Sequence, residues 1–291
     1  MSYKRRDFLK LTGAATAGLT FASMTSNALS GDFFSDKKKM DVFGLQLYSL
    51  RDDLPKDPKG VLKQVASFGY KQVEGFEGGQ GMFWGMSNTE YKKYLDDLGM
   101  TMISSHCNIN KDFEKKAEEA AAIGMKYLIC PHLGPQKSLD DFKKAADEFN
   151  KRGEICKKEG IKFAYHNHDY SFKLQEGQYP QDVMMAGTDA ATVDYEMDMY
   201  WVVTAGQDPL EWMKKYPNRF KLCHIKDRTK NATDAADTCT LGTGSIDYVS
   251  IVPKAQQLGM EYFIVEQEKY AGTTPLASAK DDADYMKKLK L

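Results

Sequence analysis

From about residue 41 onward, two hydrophobic rhythms alternate along the chain. Short apolar, β-branched and aromatic runs occur at 42–50, 72–77, 101–108, 126–133, 161–169, 193–200, 220–228 and 261–268, and they predict strands. Amphipathic patterns between them predict helices at about 58–68, 88–98, 112–123, 138–159, 182–187, 208–216, 247–258 and 276–290. Five of these end in the same junction, an apolar or acidic residue, then Gly, then the residue opening the next strand: Gly69, Gly99, Gly124, Gly160 and Gly259. Glycine just past a helix end accepts the left-handed conformation that stops the helix. The first three spacings are 30, 25 and 36 residues, the size of one strand–helix unit. Asn88, Ser138 and Asp247 are the expected N-caps, and Pro209 sits in a first helical turn, where its missing N–H costs nothing. Strands alternating with helices imply a parallel sheet, and eight of each predict an α/β single domain, a closed (β/α)8 barrel. An open doubly wound sheet is the alternative, but no G-x-G-x-x-G follows the first strand.

Residues 1–40 break both rhythms. Arg5-Arg6 sits in a basic segment, a small-residue apolar stretch runs from Leu11 to Phe21, and Ser26-Asn27-Ala28 is a small-x-small cleavage pattern. Residues 1–30 therefore read as a twin-arginine signal peptide, with 31–40 a polar linker and 41–291 the barrel. The expectation is export by the Tat pathway to the periplasm, folded and already metal-loaded. The apolar stretch falls far short of the ~20 residues that span a bilayer, so no stable membrane insertion is expected.

Composition narrows the function classes. The chain has 291 residues, 42% hydrophobic and 28% charged, with a net charge of −1. Such a balance gives no basic field for nucleic acid. The five cysteines lack disulfide or zinc-finger spacing, and Cys107, Cys130 and Cys223 fall in strand runs as buried free thiols.

Chemistry gathers at the strand ends, where barrel enzymes work. In order these supply Gln46, Tyr48 and Arg51; Glu74 and Glu77; His106; His132; His166, His168 and Asp169; Asp194, Glu196 and Asp198; His224, Lys226 and Asp227; Glu266 and Glu268. All five histidines of the chain lie at such ends. Side chains alternate along a strand, so His166 and His168 share a face and Asn167 takes the other. The same rule pairs His224 with Lys226 and Glu266 with Glu268, and aligns Asp194, Glu196 and Asp198. Imidazoles plus carboxylates suit one divalent metal with open positions for substrate oxygens. A metal there polarises a carbonyl, a neighbouring Glu or His takes the proton on the adjacent carbon, and Lys226 supports the developing enolate. Gln46, Asn167, His132 and Trp201 are the expected substrate contacts. Phe83-Trp84 and Tyr200-Trp201 are candidate sugar-stacking surfaces, with core or homodimer packing as the alternative.

GLQLYSLR, VEGFE, SSH, YHNHDYSF, DMYWV, HIKDR, GTGSIDY and YFIVEQE, in this order over residues 42–291, resemble the xylose isomerase-like TIM-barrel superfamily. More narrowly they resemble its sugar phosphate isomerase/epimerase branch, which includes D-tagatose epimerase-like and inosose dehydratase-like enzymes. The resemblance implies one divalent metal, commonly Mn²⁺, with Zn²⁺, Co²⁺ or Mg²⁺ as alternatives. It implies His166, Asp198, His224 and Glu266 as ligands. In the epimerases of this group the strand-five ligand is a glutamate that doubles as acid/base, and here that position is His166. Glu266 and Lys226 are then the expected catalytic groups, with Glu74, His106 and His168 as candidates for the other face. The expected activity is a metal-dependent isomerase or epimerase of a non-phosphorylated keto sugar. The alternative is a lyase, dehydratase or glycoside-cleaving enzyme acting on 3-keto-sugars. A barrel endonuclease and a non-catalytic sugar- or metal-binding module are the remaining readings.

Overall fold

A computed structural model describes residues 39–291. Its centre is a closed parallel barrel of β1 (Gly44–Gln46), β2 (Gln72–Phe76), β3 (Thr101–His106), β4 (Tyr127–Cys130), β5 (Lys162–His166), β6 (Val193–Asp198), β7 (Phe220–Ile225) and β8 (Tyr262–Val265). β8 pairs back onto β1, so the sheet has no free edge. The fold is the expected (β/α)8 barrel, and the open-sheet alternative falls. The twin-arginine segment and nearly all of the linker lie outside the described residues. Among the described residues, no helix is long and apolar enough to cross a membrane.

The observed strands are shorter than the apolar runs, because the chain stays buried after it leaves the ladder. The first run ends in a 3-10 turn, Leu47–Leu50. The sixth turns straight into the helix Met199–Thr204, which the pattern missed, and Asp198 caps it by accepting from the Trp201 N–H at 3.2 Å. The seventh splits off Asp227–Arg228, which pairs with Thr238–Cys239 in a separate small ladder.

The helix ends follow the expected chemistry, with two corrections. Ser87, not Asn88, caps the second helix, in a reciprocal capping box with Glu90. Ser138 gives no cap bond and turns its hydroxyl to Asp141. Asp247 caps its helix, and Pro209 sits in the first turn of its own. All five junction glycines adopt positive φ, from +70° at Gly99 to +105° at Gly69.

Two β-bulges set the level of the polar interior. On β3 the register with β2 skips Ile103, which brings Ser104 beside Glu74. On β7 the register with β6 skips Lys221, which brings Leu222 beside Glu196 and His224 beside Asp198. Bulges re-aim side chains in this way next to functional sites. Inside the barrel, Ile129, Ala164, Leu222 and Ile264 with Tyr127 form a small apolar cluster of their own. The larger apolar core lies between strands and helices. Cys107, Cys130 and Cys223 are buried and free, as expected, and Cys156 on the helix Leu139–Lys158 is buried and free as well.

Candidate metal centre

Strand alternation carries Asp194, Glu196 and Asp198 up the barrel interior. Asp194 is lowest and is paired with the Tyr127 hydroxyl at 2.9 Å and Lys162 Nζ at 3.0 Å. Glu196 lies beside His106, Nε2 to Oε2 2.8 Å. Asp198 reaches the mouth with His166, His224 and Glu266. His166 Nε2 is 3.5 Å from Asp198 Oδ2, His224 Nδ1 is 3.8 Å from the same oxygen, and His224 Nδ1 is 3.2 Å from Glu266 Oε2. One donor atom from each of the four lies within 4.8 Å of the other three.

Hydrogen-bond accounting assigns the donor atoms. His166 Nδ1 is 2.9 Å from the Pro131 carbonyl, which only accepts, so Nδ1 carries the proton and the Nε2 lone pair is free. That Nε2 is buried and has no partner; Asp198 Oδ2 is likewise unpartnered. Lys226 Nζ lies 3.0 Å from this oxygen but off the direction of a hydrogen bond. Its bonds go to Glu266 Oε2 at 2.7 Å and Glu268 Oε1 at 2.6 Å. Buried acceptors without donors are costly, and a cation among them satisfies both. Two imidazoles and two carboxylates form a borderline nitrogen–oxygen set that suits Mn²⁺, Zn²⁺ or Co²⁺.

The electrostatics agree. Burial pushes Asp198 and Glu266 upward, but Lys226 together with the neighbouring imidazoles, His166 and His224 for Asp198 and His224 for Glu266, outweighs it and holds both carboxyls well below their ordinary range. Burial lowers Lys226, yet Asp198, Glu266 and Glu268 keep it protonated, well above its ordinary value. Burial also lowers His224, but the surrounding Glu196, Glu266 and Asp198 carboxyls together outweigh it and hold the imidazole well above the usual range, so a cation bound at Nδ1 would take the place of a proton there.

A cavity of 870 Å³ opens over this cluster. Its wall includes His106, His132, His166, His168, Glu266 and Glu268, with the aromatic pair Tyr48 and Phe76 at 5.2 Å, edge to face. Burial lowers His168 to about 2, so it meets a ligand as a neutral imidazole. It stacks on Tyr170, centroids 5.8 Å apart and rings 3° from parallel.

The segment GTGSI, residues 242–246, is built around Asp227. The two Asp227 carboxylate oxygens accept from the N–H groups of Arg228, Gly242, Gly244 and Ile246 at 2.8–3.1 Å. A Cβ at Gly244 would lie 2.2 Å from Asp227 Oδ1, so that position excludes a side chain. The loop after β7, beside Lys226, is thereby pinned to the barrel.

The family model for xylose isomerase-like TIM barrels matches residues 62–289. The chain belongs to that family. A sugar phosphate isomerase/epimerase from Parabacteroides distasonis has 31% identity and a TM-score of 0.72, over 90% of this chain and 97% of that one. Among curated relatives, inosose dehydratase of Clostridium perfringens is 30% identical over 51% of this chain, and that match spans 54% of its length, about half. Inosose dehydratase of Geobacillus kaustophilus is 23% identical over 79% of this chain and 86% of its own length. This xylose isomerase-like barrel is therefore akin to carbohydrate-processing enzymes.

The structure brings together most of the residues expected at the site and moves others away. Glu266, His106, His132 and His168 reach the cavity; Lys226 sits just behind its wall, buried between Glu266 and Glu268. Gln46 and Asn167 do not reach it, which corrects their expected role as substrate contacts. The Gln46 amide is spent on Glu74 and on the Tyr48 N–H. The Asn167 amide exchanges two bonds with the Asp198 backbone, at 3.1 and 3.2 Å. Glu74 is fully buried and off the cavity wall, so it is no acid or base for a bound substrate. Trp201 is also off that wall and packs on His168 at 5.3 Å, while Phe83, Trp84 and Tyr200 are core. Glu268, Tyr48 and Phe76 are the wall residues sequence reasoning undervalued. For Glu268 the E-x-E spacing, which puts both carboxylates on one face, was the available signal.

Proposed function

We propose that this chain is a divalent-metal-dependent lyase of the dehydratase type, acting on a non-phosphorylated keto-sugar or keto-polyol. The observation that carries the reading is the ring at the end of β5. His166 has its Nδ1–H held by Pro131 and only a lone pair on Nε2, so it has no proton to move. An epimerase needs an acid/base group on each face of the carbon, whereas a dehydratase needs a base on one. The inosose dehydratase relatives support the same choice.

In this reading His166, Asp198, His224 and Glu266 hold the metal, which supplies Lewis-acid polarisation of the substrate carbonyl. Both Glu266 and Glu268 line the cavity and both accept from Lys226, but Glu266 would be taken up by the metal, which leaves Glu268 as the wall carboxylate able to act as a base. Glu268 takes the α-proton and returns it to the departing hydroxyl: a C–H and a C–O bond break, a C=C bond forms, and water leaves. Lys226, expected to reach the enolate oxygen, is instead buried behind the wall, where its ammonium holds the Glu266 and Glu268 carboxylates in place for the reaction. Neutral His132 and His168 orient substrate hydroxyls.

The test is incubation with an inosose and Mn²⁺, Zn²⁺ or Co²⁺ in D₂O. The expected result is loss of water and a new ultraviolet-absorbing unsaturated ketone. Deuterium appearing in a sugar of unchanged composition would sink the lyase reading in favour of an isomerase or epimerase, the reading that the Parabacteroides neighbour's name favours. We also propose export through the twin-arginine route. Replacing Arg5 and Arg6 by Lys should hold the protein in the cytoplasm of the producing cell, as read by fractionation.

A further inference from the structure

Beneath the four donors lies a second polar layer that touches no solvent. Glu74 has no exposed surface, and its carboxylate is saturated. Ser104 Oγ donates to Oε2 at 2.5 Å, Gln46 Nε2 donates to Oε1 at 2.7 Å, and His224 Nε2 lies 2.7 Å from the same Oε1. The orientation of Gln46 is unambiguous: its Oε1 faces the Tyr48 N–H at 2.9 Å, a group that only donates, so the NH₂ end must face Glu74. Gln46 stands opposite Glu74 in the β1–β2 register, and the bulge in β3 places Ser104 opposite it from the other side. The second bulge, in β7, places His224 opposite Asp198. Two register irregularities thus converge on one hydrogen bond, donated by an imidazole on β7 to a carboxylate on β2 across the barrel.

We propose that Glu74 is a positioning residue: it holds His224 by its Nε2–H, so that Nδ1 is the atom presented to the site shared with His166, Asp198 and Glu266, and Gln46 and Ser104 hold Glu74 in turn. The alternative, His224 binding through Nε2, would require breaking the 2.7 Å contact with Glu74 and would direct the ring toward Glu196, 3.4 Å from that nitrogen, rather than toward Asp198 and Glu266. A carboxylate behind a ligating histidine fixes the tautomer and makes the other nitrogen a better donor, and its loss commonly weakens metal binding roughly 10–100-fold. Glu74 and Pro131 play the same part for two rings: each accepts the N–H remote from the donor cluster. The inference rests on the metal reading above.

Its test uses the full-length protein loaded with Co²⁺. Hyperfine-shifted proton NMR of the wild type should show two exchange-protected ring N–H signals, from His166 against Pro131 and from His224 against Glu74. In Glu74→Gln one of these should move and exchange faster while the other stays, and Co²⁺ affinity measured by chelator competition should fall about 10–100-fold. Ser104→Ala removes only one bond and serves if Glu74→Gln does not fold; it should weaken Co²⁺ binding severalfold and shift the same signal. Unchanged signals and affinity within twofold of wild type in whichever variants fold would overturn the positioning role while leaving the metal centre intact. A wild type that binds no Co²⁺, Mn²⁺ or Zn²⁺ would overturn the metal reading itself.

Discussion

The two halves of the barrel interior carry similar side chains and do different things with them. At the ends of β5 to β8, His166 and Asp198 keep buried polar atoms without protein partners, and Glu266 faces the cavity. On β1 to β3, Gln46, Glu74 and Ser104 are equally polar and buried, but they close on one another and on His224. An unpartnered buried donor or acceptor costs free energy that a ligand can relieve, whereas a saturated one is structure. The difference between a binding group and a supporting group is thus a matter of partners, not of residue type or depth.

That contrast breaks most readily at Glu266. Replacing it by Gln, or stripping metal with a chelator, should lower turnover in the proposed dehydratase reaction by about 10³-fold or more, with metal content measured alongside. Retained activity would remove the second half's claim to the metal. Next comes Glu268→Gln, expected to cost roughly 10²–10⁴-fold in kcat with metal still bound, because in the proposed reaction Glu268 moves the proton and does not hold the metal. Lys226→Met should cost about 10²–10³-fold by the same assay. If either variant instead loses its metal, these residues belong with the ligand set.

A smaller effect tests the scaffold beside the site. Gly244→Ala drives a methyl into the Asp227 carboxylate and should destabilise the fold by about 3 kcal/mol, read by chemical denaturation. Asp282 braces the same loop from the last helix, accepting from the Leu241 N–H at 2.7 Å. Burial raises its pKa to about 8, so the folded state keeps a proton that the unfolded chain releases near pH 4. Its contribution is fully present below about pH 4 and is lost as pH rises through about 8. Asp282→Asn should therefore flatten the fall in melting temperature between pH 5 and 8.5, by a few degrees relative to wild type; parallel curves would refute the assignment.

Much of this could be read from the chain, and the failures share one cause. The alternation of apolar runs and amphipathic segments, with a glycine closing five helices, is local, and it gave the order of strands and helices though not their ends. So did the period-two rule that sent Asp194, Glu196 and Asp198 inward together. The expected roles of Gln46 and Asn167 did not survive, because their amides are claimed by Glu74, 28 residues away, and by Asp198, 31 residues away. The helix Met199–Thr204 was missed because an apolar run of that length fits a strand or a buried helix equally well.

By itself, then, the sequence determined the barrel, the face each strand-end residue takes, and the crowding of histidines and carboxylates at one rim. These follow from local periodicity and from side-chain alternation. Only the tertiary structure decided which of those groups are left without partners and which nitrogen of each imidazole is free. It also decided that Glu74 supports the site from below. Two bulges set those relations by shifting whole strands past one another by a residue, and the hydrogen bonds that result join strands far apart in the chain.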